Sequence, residues 1–134
     1  MHKYIVSCIA ALALLASFGV NAQQILVFTD TEHPVFSVPD QAHVYELDQV
    51  RQIEESLFSD LDTHKGDPAE LAKARLTAQT HHQLAQSYRG IVDAWTLGVQ
   101  KIPAVVVERQ YVVYGEPDVG EAVSRIQNYQ EKHQ

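Results

Sequence analysis

Val27-Phe28-Thr29-Asp30-Thr31-Glu32-His33-Pro34-Val35-Phe36 and Lys101-Ile102-Pro103-Ala104-Val105-Val106-Val107 are the two stretches from which the fold is read. In the first, the apolar run Ile25 to Phe28 breaks off at Thr29-Asp30 into a proline-containing loop. A short continuous apolar run between polar residues suits a strand buried on both faces, so Gln24–Thr29 is expected to be a central strand. In the second, Pro103 directly precedes the β-rich run Ala104–Glu108, and Arg109-Gln110 separates that run from Tyr111–Tyr114. Two such runs with so small a gap predict a β-hairpin. Arg-Gln is not a favoured turn pair, so the loop is expected to borrow neighbours and exceed two residues.

Outward from these stretches, Asp30–Gln41 contains Pro34 and Pro39 and reads as a loop or a broken short helix. Ala42–Leu47 reads as a second strand. Asp48 then caps an expected helix carrying Val50, Ile53, Leu57, Phe58 and Leu61, which is expected to lie on the sheet and to end at Lys65-Gly66. Asp67-Pro68-Ala69-Glu70 restarts the chain as a helix, with Asp as cap, Pro at the first position and Glu at the third. From there Leu71, Ala74, Ala78, Ala85, Tyr88, Val92 and Trp95 form an apolar face, with Gly90 as the expected bend or break and Trp95 expected in the core. Pro117-Asp118 opens a last helix with Val119, Ala122, Ile126 and Tyr129 towards the sheet and a fraying tail from Gln130. This order predicts an α/β fold with a four-stranded mixed sheet, two parallel strands followed by a C-terminal hairpin, packed with helices.

Residues 1–22 have the form of an export signal: Lys3, an apolar core from Ile5 to Leu15, and Val20-Asn21-Ala22 as a cleavage site before Gln23. The apolar run is shorter than the roughly 18–20 residues of a spanning helix, so no membrane span is expected in the mature chain. Cys8 lies within the apolar run with no lipobox before it, which argues against lipidation. The remainder, residues 23–134, suits a single domain. Cys8 is the only cysteine, so the mature chain would hold no thiolate and thiol-disulfide exchange is excluded for it. With Lys3 removed, nine basic residues face 17 acidic ones, a formal charge of 9 − 17 = −8. Without a basic cluster, direct nucleic-acid binding is disfavoured, because it rests on phosphate neutralisation.

Candidate chemistry is sparse. His33 stands in the loop after the first strand, but its surroundings lack the spacing of three or four convergent metal ligands, and the expectation is no metal and no cofactor. His81-His82 are adjacent on a helix and point about 100° apart, so they do not grip one ion. Asp30, Glu32 and Asp93 form no carboxylate pair that the sequence would bring together. There is no nucleophile elbow and no phosphate-cradling glycine loop, so no catalytic residue is assigned.

Phe28-Thr29-Asp30 with His33-Pro34-Val35-Phe36 is similar to the active-site strand and turn of periplasmic disulfide isomerases of thioredoxin type, and Ile102-Pro103-Ala104-Val105-Val106 with Val113-Tyr114-Gly115 to their cis-proline loop and hairpin. His33 and Phe36 stand where the two cysteines would be. Over nearly the whole mature chain, through Val27–Asp30, Val92–Val99, Lys101–Val107 and Tyr111–Gly115, the sequence also resembles a family of exported proteins of integrating conjugative elements, related to the F-type TrbC pilus-assembly proteins. The resemblance implies a redox-inactive, non-catalytic thioredoxin-like periplasmic component of a conjugative type IV secretion apparatus. It also implies a cis Ile102-Pro103 bond, a protein component of the transfer or pilus-assembly complex as partner, and a binding surface built from Asp30, His33, Pro34, Phe36, Ile102 and Pro103. The alternative is a general periplasmic peptide-binding module or holdase.

Overall fold

Ile25 and Val27 face one side of a sheet and Leu26 and Phe28 the other, because successive strand side chains alternate, and all four are buried. This computed structural model describes residues 23–59, 61, 63 and 65–133. The expected export signal, Cys8 included, lies outside the described residues. The elements run β1 (Ile25–Thr29), β2 (Ala42–Glu46), α1 (Gln49–Phe58), α2 (Pro68–Arg75), α3 (Ala78–Thr96), β3 (Ala104–Val107), β4 (Tyr111–Tyr114) and α4 (Val119–Lys132). The sheet order is β2-β1-β3-β4, with β2 parallel to β1 and both remaining pairings antiparallel. The chain is thus α/β, with a four-stranded mixed sheet and four helices among the described residues, and β1 is interior as its apolar run requires.

Each face of the sheet has its own core. Ile25, Val27, Val105 and Val107 meet Val119, Ala122, Val123 and Ile126 of α4 on one side. Leu26, Phe28, Ala104 and Val106 meet Ala94 of α3 on the other, with Tyr45, Leu97 and Ile102 at the margin. Full burial of a side chain of this size contributes about 1.5–3 kcal/mol, an upper figure because the unfolded chain already hides some surface. Asp118 caps α4 by accepting from the Glu121 amide at 3.1 Å. Tyr129, expected against the sheet, is instead half exposed, and α4 continues through the expected frayed tail to Lys132.

The helices depart from expectation in three ways. First, α1 stops at Phe58, short of Leu61, and packs chiefly on α3 and α2. Its last carbonyls are held by Arg75 Nη1, which donates to Ser56, Leu57 and Ser59 oxygens at 3.3, 3.1 and 2.7 Å. These are helix-end acceptors that lack intrahelical donors. Second, the long helical stretch breaks at Leu76-Thr77 and not at Gly90. Thr77 caps α3 by accepting from the Thr80 amide at 3.2 Å. Third, α3 meets the sheet with Ser87, Gly90 and Ala94, while the expected apolar face points outward: Tyr88, Val92 and Trp95 are 46, 61 and 85 % exposed. The reason is steric. The sheet face beneath α3 is filled by Phe28 and Tyr45, so close approach of the helix selects its small residues.

The hairpin loop is longer than two residues, as expected. Val107 pairs with Tyr111, and Glu108 and Arg109 both adopt positive φ, 52° and 57°. The primed turn that matches strand twist demands this conformation, although neither residue type favours it.

Candidate functional site

At the C-terminal end of β1 the chain is folded back on itself by side chains. The Thr29 hydroxyl, buried, donates to the His33 carbonyl. Asp30 Oδ1 accepts from the amides of Glu32 and His33 at 3.0 and 2.9 Å and lies 2.6 Å from His33 Nδ1. This is the local turn an Asp side chain builds by imitating a backbone carbonyl. It fixes where His33 stands, so Asp30 acts by positioning. Of the two forms expected for this segment, a loop or a broken short helix, it takes the loop. Phe36 docks on the start of α4: its amide donates to the Pro117 carbonyl at 2.9 Å, and its carbonyl accepts from the Val119 amide at 3.0 Å. Val35 packs on the α4-side core, whereas the Phe36 ring is 55 % exposed.

The second half of the site comes from the approach to β3. The Ile102-Pro103 bond is cis, and Pro103 is buried, its carbonyl accepting from the Gly115 amide at 2.9 Å. Among the described residues no hydrogen bond outside the strand ladders satisfies the Ile102 amide or carbonyl. His33, Pro34, Pro103, Gly115 and Pro117 line one open depression of ≈ 280 Å³. Of the six residues expected to form the surface, the structure therefore brings His33, Pro34 and Pro103 together. Asp30 stands behind His33, the Ile102 side chain is partly buried against the α3-side core, and Phe36 belongs to the α4 contact. Gly115 and Pro117 complete the lining without having been expected there. In the sequence they signal only the end of the hairpin and the start of the helix.

Three prolines and a glycine make this depression rigid and largely apolar, with few polar groups to fix a small ligand. Such a surface suits the side chains of a peptide better than a charged metabolite. Among the described residues no group of three or more His, Cys, Asp or Glu could hold a metal ion. The larger groove beside β4, ≈ 540 Å³, includes Arg125 in its lining, and Glu116 and Glu121 neutralise that residue at 2.8 and 3.0 Å.

Asp48 ties the loop to α1. It sits at the cap position with helical backbone angles and makes no side-chain cap, contrary to expectation. Its Oδ2 accepts from the Thr31 hydroxyl and from Gln52 Nε2 at 2.8 Å, while Oδ1 is buried without a hydrogen-bond partner among the described residues. The hydrogen bond from Thr31 leads the causes that hold the Asp48 carboxyl below its ordinary value of 3.8. A depressed carboxyl stabilises the fold above its unfolded pKa, and that stabilisation is lost as pH falls through the lower folded value. The protection of the residue 31–33 amides against exchange, relative to the intrinsic rate at each pH, is therefore expected to fall below pH 3.8. Asp48→Ala is expected to cost about 1 kcal/mol at neutral pH and to remove that acid-dependent step. An unchanged exchange profile in the variant would show that Asp48 does not anchor the loop.

No helix among the described residues is long and apolar enough to cross a membrane. No curated protein and no solved structure matches the chain. One family model does match, over residues 22–132 and thus nearly the full length. The chain belongs to the family of proteins of unknown function designated DUF1525.

Proposed function

We propose that this protein is a non-catalytic, exported thioredoxin-like component of a conjugative type IV secretion apparatus, holding an extended segment of a protein partner in the depression beside Pro103. The observation that carries this reading is the meeting of His33 and Pro34 with Pro103 at one end of the sheet. Support for a thioredoxin-like classification comes from the sheet order, the parallel first pair, the antiparallel hairpin and the terminal helix. The backbone of Ile102, which outside the strand ladders has no hydrogen-bond partner among the described residues, offers the donor and acceptor that an extended peptide would use. The conjugative setting rests on the sequence resemblance alone. Periplasmic residence follows from the signal-like residues 1–22, and protein contact in place of electron transfer from the confinement of sulfur nucleophiles to Cys8.

A Pro103→Ala substitution tests the reading in the intact element, with transfer frequency and protein level measured together. Transfer is expected to fall about tenfold or more while the folded protein persists, since the lost quantity is contact energy of about 1.4 kcal/mol or more. Full transfer with reduced stability would confine Pro103 to a structural role. The exposed rings of Phe36 and Trp95 fit the second reading, a general periplasmic holdase. Deleting the gene separates the two, because unchanged transfer removes conjugation from the function.

A further inference from the structure

The outward stripe of α3 is too regular to be incidental. Ala78, His81, Ala85, Tyr88, Val92 and Trp95 follow one another in alternating steps of three and four residues, and every one is exposed. This is the spacing of a seam between two helices, in which alternate positions interlock with a partner helix of the same kind. The sheet is already served by Ser87, Gly90 and Ala94, so the stripe is a second, unmade interface. We propose that α3 of a second copy docks on it antiparallel, about a two-fold axis.

Size complementarity selects this occupant. In an antiparallel pair each residue of one series meets a residue of the other series across the seam. The register centred between Ala85 and Tyr88 then sets Trp95 against Ala78, Tyr88 against Ala85, and Val92 against His81, and the two-fold repeats each layer. Large thus meets small in the two aromatic layers, as tight packing requires. A parallel pair would stack Trp on Trp and leave Ala facing Ala. The self-complementary arrangement closes at two copies.

Charge points the same way. The sequence carries 17 acidic residues, yet none lies between Leu71 and Val92, where Lys73, Arg75 and Arg89 stand. Along α3 itself, two acidic molecules therefore meet no carboxylate of their own before Asp93, and Glu54 of α1 is the acidic group that reaches the stripe, at the Tyr88 hydroxyl. Asp93, which follows Val92 in the chain, is already engaged by the Tyr45 hydroxyl at 3.0 Å and by Arg109 at 3.3 Å. The Tyr88 hydroxyl donates to Glu54 at 3.1 Å, so its ring can be covered without orphaning a donor. A single helix face is smaller than the roughly 800 Å² per partner of a stable interface, so the dimer is reversible and not obligate.

Trp95 is the only tryptophan and reports directly on the seam. Protein obtained by expressing the full chain is examined by sedimentation equilibrium and fluorescence from about 1 μM to about 1 mM, the range of weak affinities. The mass is expected to double and Trp95 emission to move to the blue over the same concentrations. His81→Glu and Val92→Lys each place a charge in an apolar layer and should weaken association by about tenfold or more. An equimolar mixture of the two variants should associate more tightly than either alone, because the carboxylate introduced at position 81 of one copy then faces the ammonium introduced at position 92 of the other. Both positions are exposed, so dilute variants should melt within about 0.5 kcal/mol of the parent. A monomer throughout the range overturns the proposal. So does a dimer with unshifted emission, a mixture no tighter than its components, or a blue shift that appears only with added phosphatidylglycerol vesicles.

Discussion

Phe28→Ala is expected to lower the unfolding free energy by about 3–5 kcal/mol, the range for truncating a buried aromatic. The residue is fully enclosed, stacks on Tyr45 with ring centroids 5.4 Å apart, and lies one position before the strand end from which the site loop departs. A domain of this size has about 5–15 kcal/mol in total, so the variant would retain only part of its stability and melt on the order of 15 °C lower. Urea denaturation followed by circular dichroism measures this, and a loss below about 1.5 kcal/mol would mean that the cavity collapses or that Phe28 is not enclosed. Trp95→Ala is the natural control. It removes a larger aromatic that is 85 % exposed, and in dilute protein it should change stability by less than about 0.5 kcal/mol. Ring size alone predicts the opposite order.

That contrast marks the limit of what the sequence tells. The strands were legible because burial on both faces leaves a continuous apolar signature, seen in Ile25–Phe28 and Ala104–Val107. The amphipathic stripe of α3 was legible too, but periodicity says only that a face is apolar and not what covers it. Here the sheet took the small residues because Tyr45 and Phe28 left room for nothing larger, and the aromatic stripe turned to solvent. The break at Leu76-Thr77 carries a cap signal in Thr77, yet Gly90 offers the stronger local signal for a break, because a helical glycine usually weakens its helix. The cause of that glycine lies in another element, out of reach of any local pattern.

The candidate site divides similarly. His33-Pro34 and Pro103 were readable because each is tied to a strand end, and pairing of β1 with β3 sets the two ends side by side. Gly115 and Pro117 enter only through the return of β4, which places the following turn beside Pro103. Phe36, expected as a binding residue, serves through its backbone as a bridge to Asp118 at the start of α4. A short backbone pairing of this kind leaves no residue-type signature.

Gly90→Ala should destabilise the protein by about 1–2 kcal/mol, against the gain of about 1 kcal/mol that alanine ordinarily brings to a helix interior. A Cβ at this position would lie 2.6 Å from Tyr45 Cδ1, 2.9 Å from Cγ and 3.0 Å from Cβ. These atoms are near the root of the tyrosine side chain, so the contact is not relieved by swinging its tip. The ring is also held from other directions, stacked on Phe28, edge-on to His43 at 4.4 Å, and hydrogen-bonded through its hydroxyl to Asp93 at 3.0 Å. Burial first, then the Asp93 hydrogen bond, raise the pKa of that hydroxyl, so its neutral donor form is kept. A double-mutant cycle isolates the clash. With Tyr45→Ala in place the two ring contacts are gone and only the 3.0 Å contact with Cβ is left, so the penalty of Gly90→Ala should shrink by about 1 kcal/mol or more as helix propensity offsets what remains. If Gly90→Ala were equally unfavourable in both backgrounds, the tyrosine would not be the reason for the glycine. If it stabilised in both, α3 would stand further from the sheet than a direct contact between Gly90 and the Tyr45 ring allows.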